Sequence, residues 1–170
     1  MAKARKSQPA ARLIPNSIYT DDGFLELDSP IYQLAYVAAL GQVDNFGNLI
    51  ASAGKLRAWI LPLHGLTEND VCELFDAFVE VGLAAYYEVN GVLYIHFYGT
   101  DNRLYEPPAY PLPDGLTAAK PEKGGRYTAW RVYDANHNEC DADGDPLDEK
   151  VERVAPDYRH PEKELHMQCI

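Results

Sequence analysis

Cysteine is scarce in this chain, with three residues in 170 (Cys72, Cys140 and Cys169). An odd, sparse set gives no disulfide framework and points to a reducing cytoplasm rather than to secretion. Long hydrophobic runs are missing too. No stretch reaches the length needed to span a bilayer, and the first residues hold no hydrophobic signal core, so the expectation is a soluble chain without a membrane partner. Catalytic signatures are also lacking. There is no phosphate-binding glycine loop, no Gly-x-Ser-x-Gly elbow and no metal-hydrolase helix motif, so neither an enzyme nor a small-molecule substrate is expected. His64, before Gly65, reads as a loop residue.

Positive charge is short as well. Fifteen Lys and Arg face 26 Asp and Glu, giving a formal net charge of -11 and a pI near 4.8. A field of that sign argues against tight non-specific binding to nucleic acid. The imbalance is uneven. Residues 1–12 carry Lys3, Arg5, Lys6 and Arg12 and no acid, whereas residues 66–98 carry Glu68, Asp70, Glu73, Asp76, Glu80 and Glu88 and no Lys or Arg.

Four segments follow: a basic arm over 1–12, a folded domain over 13–98, a Pro- and Gly-rich linker over 99–126 and an acidic tail over 127–170. Within the domain, residues 14–27 read as an extended lead-in with a turn at Asp21-Asp22-Gly23. Ser29-Pro30 supplies an N-cap and a Pro at the first helical position. Ile31, Leu34, Ala35, Ala38 and Ala39 then follow helical spacing up to Gly41. Residues 44–48 are dense in turn formers and form a loop. A short helix over about 52–61 ends at Pro62. A third begins at Thr67 with capping-box spacing, buries Val71, Leu74, Phe75, Phe78 and Val79, and stops at Gly82. Two apolar–aromatic runs joined by Asn90-Gly91 make a hairpin. Residues 127–133 suit one short strand, and the rest of the tail reads as mostly irregular. The fold class is α+β: a winged helix of three helices and a two- or three-stranded wing.

Asp44-Asn45-Phe46-Gly47, Leu56-Arg57-Ala58, Pro62, Asn69-Asp70-Val71, Gly82-Leu83 and the run Tyr87 to Ile95 occur in an order that resembles the N-terminal domains of bacteriophage replication proteins, akin to the DnaD-type replisome organisers. The likeness covers about half the chain. The exit Gly99-Thr100-Asp101 departs from the family, and the tail has no counterpart in it. The resemblance implies a role in DNA replication inside a bacterial host cell, with DNA or a replication or host nucleic-acid-processing protein as partner.

Two surfaces compete for that partner. If DNA is bound, Lys55 and Arg57, the hairpin tip at Asn90 and the basic arm Lys3, Arg5, Lys6 and Arg12 must touch it, because the third helix offers phosphate only acids. The alternative is an acidic protein-binding module, or an inhibitor of a host nucleic-acid machine, that uses Glu68, Glu73, Asp76 and Glu80 and binds no DNA. Tyr86, Tyr87, Tyr94 and Tyr98 suit base stacking or core packing, and strand alternation favours the core. In the tail, His137-x-x-Cys140 and His166-x-x-Cys169 repeat a spacing compatible with zinc. Asp134 to Asn138 and Asp141 to Asp145 resemble fragments of calcium loops, but neither has the full ligand pattern. No cofactor is expected beyond that zinc candidate, and the sequence leaves the oligomeric state open.

Overall fold

The computed structural model describes residues 14, 16–100, 106–121 and 128–147. The lead-in is helical rather than extended. A 3-10 turn over Asn16–Thr20 precedes α1 (Asp22–Glu26), whose N-cap Asp21 accepts the Phe24 N–H. Helix α2 (Pro30–Leu40) starts with Pro at N1, as expected. Ser29 stands at the N-cap, yet its hydroxyl makes no capping bond and is buried without a partner.

A short strand, β1 (Asn48–Ile50), follows the 44–48 loop, and then come α3 (Ala53–Trp59) and α4 (Glu68–Glu80). The capping box at Thr67 is present, with Asp70 in the position usually taken by Glu or Gln. Helix α4 ends in a Schellman motif. Leu83 N–H reaches Phe78 O, Gly82 N–H reaches Val79 O, and Gly82 takes φ +75°, which glycine adopts without strain. Strands β2 (Ala84–Val89) and β3 (Val92–Phe97) form the expected hairpin around Asn90 and Gly91, both at positive φ. All pairings are antiparallel, and the strand order is β1-β3-β2.

Alternation along these strands gives the sheet two different faces. Leu49, Ile95, Phe97 and Ala84 point to the helices and join Leu56, Val71, Leu74, Phe75 and Phe78 in the main core. Five rings run through it: Phe24 touches Tyr36, Tyr36 touches Phe78, and Phe75 and Phe78 touch Phe97, with centroids 5.3–6.3 Å apart. Asn48, Tyr94, His96 and Tyr87 point the other way.

That second face is covered, and the cover is the main departure from expectation. The stretch read as linker and irregular tail contains a second antiparallel sheet of β4 (Thr117–Ala119), β5 (Arg131–Tyr133) and β6 (Glu139–Cys140), in the order β4-β5-β6. Only β5 had a counterpart in the sequence reading. Phe46, fully buried, leaves the 44–48 loop to pack with Val132 and Cys140, flanked by Leu112, Leu116, Ala118 and Trp130. The outer face of the first sheet is met by Tyr110, Pro111 and Asp143, and the second sheet joins the domain through Phe46.

Cys72 on α4 is disulfide-bonded, and Cys140 is free and buried. The expected set of reduced thiols does not hold at Cys72. No helix among the described residues is long and apolar enough to cross a membrane.

Truncating Phe46 removes the largest side chain of the small second core. Phe46→Ala is expected to lower unfolding free energy by about 3–5 kcal/mol, a large share of a domain's total. Chemical denaturation followed by tryptophan fluorescence, which reports on Trp130, would check this; a change under about 1 kcal/mol would contradict the packing role.

Candidate functional site

Of the cationic residues singled out for DNA, Lys3, Arg5, Lys6 and Arg12 lie outside the described residues. Lys55 and Arg57 are both exposed on α3, two residues apart. Arg57 lines a shallow depression with Gly54, Ala58, His64 and Glu68. The Glu68 carboxylate leans over the start of α3, so that a Cβ on Gly54 would meet its Oε1 at 3.2 Å. A carboxylate thus stands in the same depression as Arg57 and weakens the local positive field. Asn90 is exposed at the hairpin tip with φ +54°, the left-handed geometry its turn requires.

The tyrosines are engaged in the fold. Tyr86 donates its hydroxyl to Asp76 at 2.9 Å, and Tyr87 donates to the Pro111 carbonyl at 2.7 Å. Tyr87 and Tyr94 stack on each other at 5.4 Å, and Tyr110 closes on Tyr94 at 6.1 Å. Burial, with nearby Asp76 for Tyr86 and Asp44 for Tyr87, pushes both phenols well above their ordinary range. Tyr98 packs edge-on against His96. Tyr86 packs on the core face, as strand alternation allowed for half of the rings, and Tyr87 and Tyr94 are engaged on the other face by Pro111 and Tyr110.

The four acids of the proposed protein-binding face separate into different roles. Glu73, Asp76 and Glu80 follow one stripe of α4 at i, i+3 and i+7. Glu73 and Glu80 are exposed, Asp76 is half-buried against Tyr86, and Glu68 sits over α3. Asp70 belongs to the cap: its Oδ2 accepts the Thr67 N–H and the Thr67 hydroxyl, each at 2.7 Å. Those bonds, the backbone one first, hold its carboxyl below the usual carboxylate range.

No family matches this chain, and comparison with curated proteins and with solved structures gives no match either.

The side chains that join the two sheets escaped the sequence reading. Asp44 is buried and its carboxylate accepts four backbone N–H bonds. Phe46 and Asn48 donate to Oδ1, each at 2.9 Å, and Ala109 and Tyr110 donate to Oδ2 at 3.0 and 3.2 Å. Asn48, His96 and Asp143 form a buried line. His96 Nδ1 faces Asn48 Oδ1 at 2.9 Å, and Nε2 faces Asp143 Oδ1 at 3.1 Å, which fixes the ring's orientation. Asp143 Oδ2 also accepts the Gly99 N–H at 2.9 Å. The Asn48 amide nitrogen is buried without a partner. Nothing in the sequence marks these contacts, because His96 and Asp143 are 47 residues apart.

The two calcium-like fragments have a different explanation. Asp44, Asp134 and Asp141 each accept N–H bonds from the residues two and four further on. In each loop the residue at the fourth position, Gly47, His137 or Gly144, takes positive φ. All three are the same aspartate-anchored turn. His137 of the zinc candidate is exposed in one of these turns. Burial first, then Asp141, Asp134, Asp145 and Glu139, pushes the Cys140 thiol up to about 11, which disfavours the thiolate that binds zinc. His166 and Cys169 lie outside the described residues, and no group of three metal-ligating side chains forms among the described ones.

The cap makes a pH prediction. A carboxyl whose folded pKa is depressed stabilises the fold above its unfolded pKa, and that contribution fades as pH falls through the folded value. An NMR titration should place Asp70 below the ordinary carboxylate range. Thr67→Ala should raise it part-way, because the backbone donor stays. An ordinary midpoint in both proteins would contradict the cap.

Proposed function

We propose that this chain is a phage-type DNA-replication accessory protein in which α2, β1, α3, α4 and the β2–β3 hairpin form a winged helix that mediates assembly. The observation that carries this reading is the joint order of motifs and elements. Helix, short strand, two helices and a hairpin follow one another, with β1 against β3 in a β1-β3-β2 sheet. The helix, loop, helix ended at Pro62, acidic helix and hairpin follow the order in which the motifs from Asp44 to Ile95 resemble replisome organisers, and β1 with its pairing to β3 is an addition to that pattern.

Within this reading, DNA contact falls to the helical side. On the outer face of the sheet Tyr87 bonds Pro111 and Tyr94 packs on Tyr110, so these rings take no part. Lys55 and Arg57 on exposed α3, together with the basic arm, supply the phosphate contacts. Helix α4 does not read bases, since its outward acids would be repelled by the backbone.

A second reading has its own support: a protein-binding module without DNA affinity. Glu73 and Glu80 stand exposed on α4, in a stretch from 66 to 98 that has no Lys or Arg to neutralise them. In this reading the stripe docks a basic surface of a replication or host nucleic-acid-processing protein.

Titration of labelled single- and double-stranded DNA with the full chain at several salt concentrations separates the two. The first reading expects binding that weakens steeply with salt. In Lys55→Ala/Arg57→Ala, the log–log salt slope on duplex should fall by about 2, near 0.9 per lost phosphate contact. Absence of binding at low salt would sink the first reading and leave the acidic stripe as the site.

A further inference from the structure

Helices α1 and α2 leave an apolar patch uncovered. Leu25 on α1 is 58% exposed, and Ile31 and Leu34 on α2 are 39% and 54% exposed. Ile31 and Leu34 are three residues apart and share one side of the helix. Gln33 Nε2 donates to the Phe24 carbonyl at 3.4 Å, which ties the residue before Leu25 to the residue before Leu34. The opposite side of α2 is already used: Ala35, Tyr36, Ala39 and Leu40 are buried in the main core. A helix that is apolar on all sides is normally buried on all sides. Here Ile31 and Leu34 face solvent.

The rim of the patch has one sign of charge. Asp22, Glu26 and Asp28 are exposed beside Leu25 in the sequence. From residue 13 to residue 54 the sequence holds no Lys, Arg or His at all. We propose that this patch docks an amphipathic helix with basic flanks, contributed by a partner protein. Its apolar side covers Leu25, Ile31 and Leu34, and its cations meet Asp22, Glu26 and Asp28, the helix-on-apolar-face mode of recognition. Charge selects this occupant over two others. A second copy in an isologous contact would bring the same acids to the same place, and like charges across an interface are repelled. Nucleic acid is repelled by the same rim. The inference goes beyond the DNA reading and does not depend on it.

The test uses the full chain and a labelled synthetic helix of Leu and Lys at amphipathic spacing, followed by fluorescence anisotropy. A control peptide of equal charge carries Ser in place of Leu. The wild-type protein should bind the Leu/Lys helix at least tenfold more tightly than the control, and salt should weaken that binding. Leu25→Ser/Leu34→Ser should lose at least tenfold in affinity with an unchanged circular dichroism spectrum, since both side chains are exposed. Asp22→Asn/Glu26→Gln/Asp28→Asn should retain binding with a shallower salt dependence. Equal affinity for both peptides, no loss in the Leu variant, or no binding by wild type would overturn the proposal. So would a dimer in sedimentation velocity that Leu34→Ser splits, because a second copy would then own the patch. None of these readouts involves DNA, so their failure is separate from failure of the replication reading.

Discussion

Asp44 is the point on which the layers depend. A buried carboxylate is tolerated only when its lone pairs are filled, and here four N–H groups fill them. Two donors come from its own turn and two from a segment 65 and 66 residues away. One oxygen therefore shapes the loop that aims Phe46, and the other ties down the chain that crosses the outer face of the first sheet. Phe46 then plugs the second core, and Asp143 returns the contact by accepting from Gly99 and meeting His96. Local turn, long-range tie and apolar plug act on the same loop, so the second sheet is built onto the first rather than strung behind it.

This layering changes where function can lie. With Tyr87, Tyr94 and His96 covered, the outer face of the sheet no longer offers rings or polar groups to a ligand. The helices offer three exposed surfaces: Lys55 and Arg57 on α3, Glu73 and Glu80 on α4, and the apolar residues Leu25, Ile31 and Leu34 of α1 and α2. Their chemistries differ, being cationic, anionic and apolar with an acidic rim.

Local signals were legible and long-range ones were not. The Thr67 capping box, the Gly82 stop and the Asn90-Gly91 turn each depend on a few neighbouring residues, and each stands where the sequence put it. The period-2 pattern put half of the tyrosines on the core face, which holds for Tyr86, whereas Tyr87 and Tyr94 lie on the other face and pack against Tyr110 and Pro111. The lead-in at 14–27 was misread because a helix of five residues is too short to show a period, although Asp21 is an ordinary N-cap. The second sheet was missed because its strands are two or three residues long and held by contacts far apart in sequence. The three aspartate-anchored turns were partly visible. Asp44, Asp134 and Asp141 share a pattern, with Gly or His at the fourth position and Asn or Asp at the fifth. Two of them were read as calcium-like fragments and the third as a plain loop, because the carboxylate's backbone partners cannot be seen in a motif. Of the site residues, the positions of Lys55, Arg57, Glu73 and Glu80 on exposed helix followed from periodicity, whereas the tie of Asp76 to Tyr86 did not.

Native-state hydrogen exchange at Ala109 and Tyr110 tests the layered architecture most directly. The account predicts that both amides are protected to a degree comparable with those of β3, because they donate to a buried carboxylate. In Asp44→Asn, a near-isosteric change that removes the acceptor charge, both should lose protection while Ile95 and Phe97 keep theirs. Exchange of Ala109 and Tyr110 at unstructured-peptide rates in the wild-type protein would contradict the account and return this segment to the role of a linker.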